Sequence, residues 1–179
     1  TDRTGELMDA IGATNARVRV EHNGSNRGLG CCYRRGVELA RMEYVTWLPG
    51  DNDVDGESMR RVWGQAAASG ADVIVVYIEN MHVRAWYRRM ISRVYTQLNN
   101  WLFGLDLKYI NGPALLRTSV AKRLDLRSDS FGFAAESLIR AIRRGHTFVE
   151  LPGRTQPRSG GRTKAFELSN VTSVVSGVL

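Results

Sequence analysis

The fold is decided by the stretch Leu48-Pro49-Gly50-Asp51-Asn52-Asp53-Val54-Asp55, which follows directly on a short apolar run at residues 44–48. Such a run between polar residues is typical of a buried strand. Beyond it, three carboxylates, Asp51, Asp53 and Asp55, occupy every second position. Ligands of open α/β folds bind at the carboxyl edge of the sheet, and oxygen-only donors there suit Mg²⁺ or Mn²⁺ held against a diphosphate. A polar turn built from Gly, Asp and Asn is the alternative.

Composition places the chain among soluble globular domains with an anionic partner. It has 179 residues, of which 43% are hydrophobic and 24% charged, enough for one domain with a real core. The net charge of +7 predicts binding to phosphate groups, a membrane surface or nucleic acid. Cys31 and Cys32 are adjacent, so we expect free thiols and neither a disulfide nor a cysteine metal site.

Helical and extended patterns alternate along the whole chain. The predicted helices are residues 5–12, 29–41, 57–68, 83–103 and 131–144, and the predicted strands are 16–21, 44–48, 71–77, 107–117 and 147–151. This alternation predicts a single α/β domain over residues 1–179, with a mostly parallel sheet flanked by helices. Because the chain opens on a helix-like stretch, we expect further strands of the sheet to precede Thr1.

Three segments together resemble a known family. The segments Asn26-Arg27-Gly28-Leu29-Gly30, Gly36 and Asp51-Asn52-Asp53 resemble the family 2 glycosyltransferases, in particular the dolichyl- and polyprenyl-phosphate mannosyl- and glucosyltransferases. The resemblance covers nearly all of the chain and implies the Rossmann-like GT-A fold. Thr1-Asp2 is similar to the tail of the family's Asp-Gly-Ser-Thr-Asp motif. That match would put the N-terminal strands, and the Asp that contacts the nucleobase, before Thr1.

The resemblance also assigns the donor site. It implies that Asp51 and Asp53 hold Mg²⁺ or Mn²⁺ between the two donor phosphates, with Asp55 at a third metal-associated position where relatives often carry Gln. Asn26 and Gly28 match the donor-binding turn. Glycines at a helix start permit close backbone approach, and the helix N-terminus offers N–H groups to a phosphate.

A basic loop at residues 152–164 is the second donor signal. It carries four cations among Gly and Pro residues, a composition suited to closing over a diphosphate. A solvated basic loop is the alternative. The family has Arg-x-x-Gly-x-Ser-Lys here, and Arg158, Gly161 and Lys164 match. The resemblance therefore implies that Arg158 binds the donor phosphates, with Lys164 as the second candidate.

The helix predicted at 83–103 has an apolar stripe and a polar face. The stripe comprises Trp86, Tyr87, Met90, Ile91, Val94, Tyr95, Leu98, Trp101 and Leu102. A surface helix packing this stripe on the core is one interpretation. Trp, Tyr and Arg together are instead expected at a lipid–water interface. The family uses an amphipathic interface helix here with an Arg-x-x-x-Ser pair on the lipid phosphate, and Arg88 and Ser92 match that pair at helical spacing.

Glu136 belongs to a segment, residues 129–136, that resembles the acceptor side of the family. It is either a general base or a carboxylate complementing a helix N-terminus. An acceptor phosphate is already anionic at neutral pH and needs no base, so we assign Glu136 to positioning. His22, His82 and His146 are scattered without metal-ligand spacing.

The leading function is an inverting, metal-dependent transfer of a hexose from a GDP- or UDP-sugar to a polyprenyl phosphate at the cytoplasmic face of a membrane. One alternative keeps the family but uses a soluble saccharide or protein acceptor, with Glu136 as base. The other is a basic nucleic-acid-binding module, which the separated arginines and the lack of a recognised motif disfavour.

Overall fold

The computed structural model describes residues 3–50 and 54–156. In chain order its elements are α1 (Thr4–Thr14), α2 (Leu29–Leu39), β1 (Tyr44–Thr46), α3 (Gly56–Ser69), β2 (Val73–Ile78), a 3₁₀ turn (Met81–Val83), α4 (Trp86–Phe103), β3 (Ala114–Arg117), α5 (Thr118–Ala121), α6 (Phe133–Arg143) and β4 (Phe148–Gly153). The predicted α/β class is confirmed, as is the helical character of every segment predicted to be a helix.

Local sequence signals set the limits of the long helices. Asp55 caps α3 by accepting a hydrogen bond from the Ser58 backbone N–H at 2.8 Å. Gly70 and Gly104 follow the last turns of α3 and α4 in the left-handed conformation, with φ of 65° and 64°. Glycine adopts this conformation without a steric cost, so both helices stop where the sequence supplies one.

The described strands form one sheet in the order β1-β3-β2-β4. β2 and β4 are parallel, whereas β3 is antiparallel to both β1 and β2. The sheet is therefore mixed over the described residues, which differs from the mostly parallel sheet expected. A parallel β2–β3 pair would need a crossover helix packed on the sheet. The apolar side of α4 stays exposed instead, so α4 does not serve as that crossover.

The core lies on both faces of the central strand β2. On one face, Val73 and Val75 pack in a large cluster with residues of α2, α5 and α6. On the other, Ile74 and Val76 pack in a second cluster with Met59 and Val62 of α3. Burial on both faces explains why residues 73–78 read as a continuous apolar run.

Two predicted strands are corrected. Residues 16–21 alternate in polarity but form no strand, and their charged side chains make surface ion pairs such as Arg19 with Glu21. Alternation alone does not make a strand, because a strand also needs a neighbour to bond. Only Ala114–Arg117 of the predicted 107–117 is a strand. The start of that segment is bonded to α4, where the Asn100 side chain donates to Leu107 O at 2.9 Å and accepts from Leu107 N at 3.2 Å.

No helix within residues 3–50 and 54–156 is both long enough and apolar enough to cross a membrane.

Candidate functional site

The carboxyl ends of β2 and β4 meet the start of α3 at one edge of the sheet. Glu79 N donates to Gly153 O at 3.0 Å, and Asp55 N donates to Arg154 O at 3.0 Å. Val54 and Thr155 form an isolated antiparallel bridge. Val54 and Asp55, which directly follow the predicted metal motif, therefore lie at this edge of the sheet. Asp51 and Asp53 themselves lie outside the described residues, as do Arg158 and Lys164.

Asp55, predicted at a third metal-associated position, has a structural function of its own. One carboxylate oxygen caps α3, and the other lies 3.5 Å from the Gln156 side-chain nitrogen. The described part of the chain holds no group of three or more His, Cys, Asp or Glu side chains that could bind a metal. The capping bond accounts for Asp55 by itself, so its metal role stays a prediction.

The glycine turn before α2 is packed against the chain's own backbone. A Cβ placed on Gly28 would lie 2.2 Å from Asp129 O, and one on Gly30 would lie 2.0 Å from Ser128 O. Gly30 N donates to Asp129 O at 2.9 Å, while Asn26 Oδ1 accepts from Gly28 N at 3.1 Å. The backbone that approaches these glycines closely is that of residues 128–129, and the phosphate contact expected of them stays a prediction.

Glu136 is bonded to the backbone of the segment that packs against the glycine turn. Its side chain is fully buried, and its carboxylate accepts from Arg127 N at 3.0 Å, Ser128 N at 2.9 Å and Arg140 Nε at 2.8 Å. Three donors surround a carboxylate with no solvent access, an arrangement suited to fixing a loop rather than moving a proton. The role of Glu136 in positioning the acceptor stays a prediction.

Aromatic packing connects α6 to α2 and to the segment that precedes the acidic motif. The Phe133 ring lies 4.7 Å from Tyr33 of α2 and 5.3 Å from Trp47, the residue that leads toward Asp51. Burial raises the pKa of Tyr33 to about 12, so this phenol stays neutral. The first turn of α6 is thus the common support of the glycine turn and of the strand that carries the acidic motif.

Helix α4 presents its apolar stripe to solvent. Eight of the nine predicted stripe residues are exposed, with Trp86 at 71% and Trp101 at 79%, and only Tyr95 is half-buried. Burial raises the pKa of Tyr95 to about 12. The residues of α4 that are buried are polar, Thr96 and Asn99. The helix is therefore turned with its polar side toward the protein.

A cleft of about 220 Å³ lies beneath this polar side. Its walls include Ser92, Arg93 and Thr96 of α4, the end of β2, and Lys108 and Tyr109. Ser92, predicted to contact the acceptor, lines the cleft. Arg88 is half-buried one turn away and does not line it.

A set of hydrogen bonds that sequence reasoning missed joins this cleft to the sheet edge. The Arg84 guanidinium donates to the Tyr109 hydroxyl at 2.9 Å and lies 3.4 Å from Thr155 Oγ1. Asn80 exchanges two bonds with the Thr155 backbone, at 2.8 and 3.0 Å. The one available signal was Asn80, a polar residue just past a buried strand. Its partner lies 75 positions away along the chain.

Comparisons with known proteins agree with this architecture. A polyprenol monophosphomannose synthase from Mycolicibacterium smegmatis is 31% identical over 176 residues, and the alignment covers 91% of this chain and 66% of that protein. The chain thus spans less than two thirds of that relative.

Solved structures of glucosyl-3-phosphoglycerate synthase from Mycobacterium tuberculosis share the fold. One, in complex with Mn²⁺, UDP-glucose and phosphoglyceric acid, has a TM-score of 0.63 at 15% identity and covers 99% of this chain and 65% of that one. Another, with Mg²⁺ and UDP, has a TM-score of 0.64 at 15% identity over 99% of this chain and 62% of that one. The sequence model of glycosyl transferase family 2 matches residues 1–125. The chain belongs to glycosyl transferase family 2 and has the GT-A fold of a glycosyltransferase.

Proposed function

We propose that the protein transfers a hexose from a nucleotide diphosphate sugar to a polyprenyl phosphate at a membrane surface. The observation that carries this proposal is the orientation of α4, which exposes an apolar side with Trp86 and Trp101 and covers a cleft whose lining includes Arg93 and Lys108. An acceptor with an apolar chain and a charged head is matched to such a pair of surfaces. The name of the mycolicibacterial relative, a polyprenol monophosphomannose synthase, supports the same acceptor class.

The reaction follows from the chemistry of these two substrates. An acceptor phosphate oxygen attacks the anomeric carbon of the sugar, the bond from that carbon to the diphosphate breaks, and the nucleoside diphosphate leaves. Direct displacement inverts the configuration at the anomeric carbon. The attacking oxygen is already an anion, so no side chain has to remove a proton, and alignment with charge neutralisation suffices.

The donor side is assigned to residues with the appropriate chemistry. Asp51 and Asp53 offer the hard oxygen donors that Mg²⁺ and Mn²⁺ prefer, and they would hold a divalent cation whose charge would stabilise the departing diphosphate. Arg158 and Lys164 add positive charge toward the same phosphates. Solved structures with the same fold contain Mn²⁺ or Mg²⁺ together with UDP, which supports a metal-dependent donor site.

The alternative with a soluble acceptor and Glu136 as base has less support. That carboxylate is fully buried and accepts hydrogen bonds from three protein donors. A base must reach the proton it removes, directly or through one water. Nor does the proposal of a nucleic-acid-binding module find support in the family to which the chain belongs.

Membrane association is proposed to be on the cytoplasmic face, either peripheral or through anchoring segments outside this chain. Arg88, Arg89 and Arg93 lie on the same helix as the exposed stripe. Cations beside an apolar helix face favour a surface rich in anionic lipid, which is the character of the cytoplasmic leaflet.

The test is a transfer assay with the full chain, vesicles containing polyprenyl phosphate, and labelled UDP-glucose or GDP-mannose. We expect label to enter the lipid phase only with Mn²⁺ or Mg²⁺, and to be lost in Asp53→Asn. Asp9→Asn, a surface carboxylate paired with His22, is the matched control and should retain activity. Metal-dependent release of nucleoside diphosphate without lipid label would reject the lipid acceptor and restore a soluble one.

A further inference from the structure

The cleft beneath α4 has room for a polar headgroup. Its volume of about 220 Å³ compares with roughly 30 Å³ occupied by one molecule of liquid water. The exposed apolar stripe lies on the outer side of the same helix, opposite the wall formed by Ser92, Arg93 and Thr96. Helix α4 therefore separates an exposed apolar surface, suited to an apolar chain, from the cleft, which is suited to a charged group.

Thr96 on the inner wall carries an unused hydrogen-bonding group. The residue is 4% exposed, and its Oγ1 has no hydrogen-bond partner within residues 3–50 and 54–156. It is the single buried side-chain oxygen or nitrogen in that condition across the described chain. Buried polar atoms are almost always satisfied, so a lone exception in the wall of a cleft indicates a missing partner.

The opposite wall supplies positive charge. Lys108 places its ammonium 4.7 Å from the centre of the Tyr77 ring, and its backbone N–H donates to Glu150. Neither the Lys108 ammonium nor the Arg93 guanidinium forms an ion pair with a carboxylate in the described part of the chain. A cation placed over an aromatic ring, with no ion pair in the described residues, is suited to an anion when the same cleft also offers a hydroxyl without a partner there.

We propose that the cleft binds the phosphate head of the acceptor, with Lys108 and Thr96 as binding residues in addition to Ser92. This assignment rests on the proposed function, since it takes the acceptor to be a phosphate on an apolar chain. Lys108 supplies charge to the phosphate oxygens, and the hydroxyls of Thr96 and Ser92 donate to them. Arg88, which lies outside the lining, is then secondary for the head.

Thr96→Val separates binding from a packing role. Valine matches the shape of threonine and removes the unpartnered hydroxyl, so the melting temperature should stay the same or rise. We expect the acceptor KM at saturating donor to rise about tenfold, the range of one lost hydrogen bond to a charged group. Thr96→Ser keeps the hydroxyl and should restore the acceptor KM.

Lys108→Gln tests the charge, with Lys122→Gln as the matched control. Lys122 is an exposed lysine whose ammonium donates to Ala40 O, and it does not line the cleft beneath α4. We expect the acceptor KM to rise about tenfold in Lys108→Gln, with an unchanged donor KM, and neither constant to change in Lys122→Gln. Unchanged acceptor KM in both Thr96→Val and Lys108→Gln would overturn the assignment.

Equilibrium binding distinguishes a failure of this assignment from a failure of the proposed function. Vesicles containing polyprenyl phosphate are compared with vesicles containing unphosphorylated polyprenol, without donor. The unaltered chain should prefer the phosphorylated lipid about tenfold, and both substitutions should abolish the preference. Equal binding to the two lipids by the unaltered chain overturns the cleft as a phosphate site. A clear preference without any transfer of label instead rejects only the proposed reaction.

Discussion

Helices α4 and α6 are both amphipathic, yet they face the protein in opposite senses. α6 buries its apolar side, with Phe133, Leu138 and Ile139 each at 1% exposure. α4 exposes its apolar side and encloses Thr96 and Asn99. Periodicity reports that a helix has two unlike sides, but which side is covered depends on what lies beside it.

The two helices also treat buried polar groups differently. In α6 the buried Glu136 is satisfied by three protein donors. In α4 the buried Thr96 hydroxyl has no partner within residues 3–50 and 54–156. The buried carboxylate of α6 is therefore satisfied within the protein, whereas the buried hydroxyl of α4 can still form a hydrogen bond to a ligand.

Matched leucines give the strongest test of this contrast. Leu138 on α6 is 1% exposed and Leu98 on α4 is 45% exposed. We expect Leu138→Ala to lower the free energy of unfolding by about 3 kcal/mol, the usual cost of a core cavity, and Leu98→Ala by about 0.5 kcal/mol. Urea unfolding of both variants measures the difference. Similar losses would mean that the outer side of α4 is covered in the folded protein.

Glu136→Gln tests whether the buried carboxylate is structural. The amide keeps the shape but removes the charge that faces Arg140, so we expect a loss of about 2 kcal/mol in the free energy of unfolding. Glu57, an exposed acid in the first turn of α3, serves as the control, and Glu57→Gln should change stability by about 0.5 kcal/mol at most. Unchanged stability with abolished transfer would make Glu136 a base after all.

Trp101→Ser tests the exposed side of α4 as a membrane surface. We expect binding to vesicles with anionic lipid to weaken about tenfold, or roughly 1.4 kcal/mol, because a buried indole is lost from the bilayer. Trp63 on α3 is also exposed, at 44%, and Trp63→Ser should leave vesicle binding unchanged. Sedimentation with vesicles measures both. Equal weakening by the two substitutions would contradict a surface confined to α4.

Asp72 is a carboxylate that directly precedes β2, at the end of the sheet opposite the candidate site. Partial burial opposes its ionisation, but hydrogen bonds from His146, Thr147 and Arg117 hold the pKa of Asp72 below its ordinary value. A lowered folded-state pKa contributes stability above about pH 4, and this contribution is lost as the pH falls through the folded-state value.

Asp72→Asn should therefore lower the free energy of unfolding by about 1 kcal/mol at pH 7. The difference from the unaltered chain should shrink below about pH 4. Asp125→Asn, at a carboxylate that is 67% exposed, is the control. Unfolding curves at several pH values check the sign, and a difference that grows on acidification would contradict it.

The sequence predicted the elements that depend on local pattern. α2, α3, α4, α6 and β2 were found because period, glycines and caps are encoded within each segment. The antiparallel direction of β3 was not predicted. It depends on the path that the chain takes through α4 rather than on residues 114–117. Residues 16–21 show the converse, an alternating pattern without a strand.

The motifs of the candidate site could be predicted from the sequence, but the contacts between residues distant in the chain could not. The glycine turn before α2 follows from a short segment, whereas the positioning role assigned to Glu136 stays a prediction. The contacts of Arg84 with Tyr109 and Thr155 link residues 25 and 71 positions apart. No local pattern specifies such a pairing, since the sheet alone brings these side chains together.

The glycine turn has a consequence for mutational screens. A methyl group at Gly30 would meet the Ser128 carbonyl at 2.0 Å, so any substitution must displace the loop that Glu136 holds. A screen scored by transfer activity would record Gly30 as intolerant and invite its assignment to the donor phosphates. The same loss would arise in a variant that binds donor normally. Intolerance at this position is therefore expected from packing alone, and only a direct measurement of donor binding separates packing from a donor-binding role.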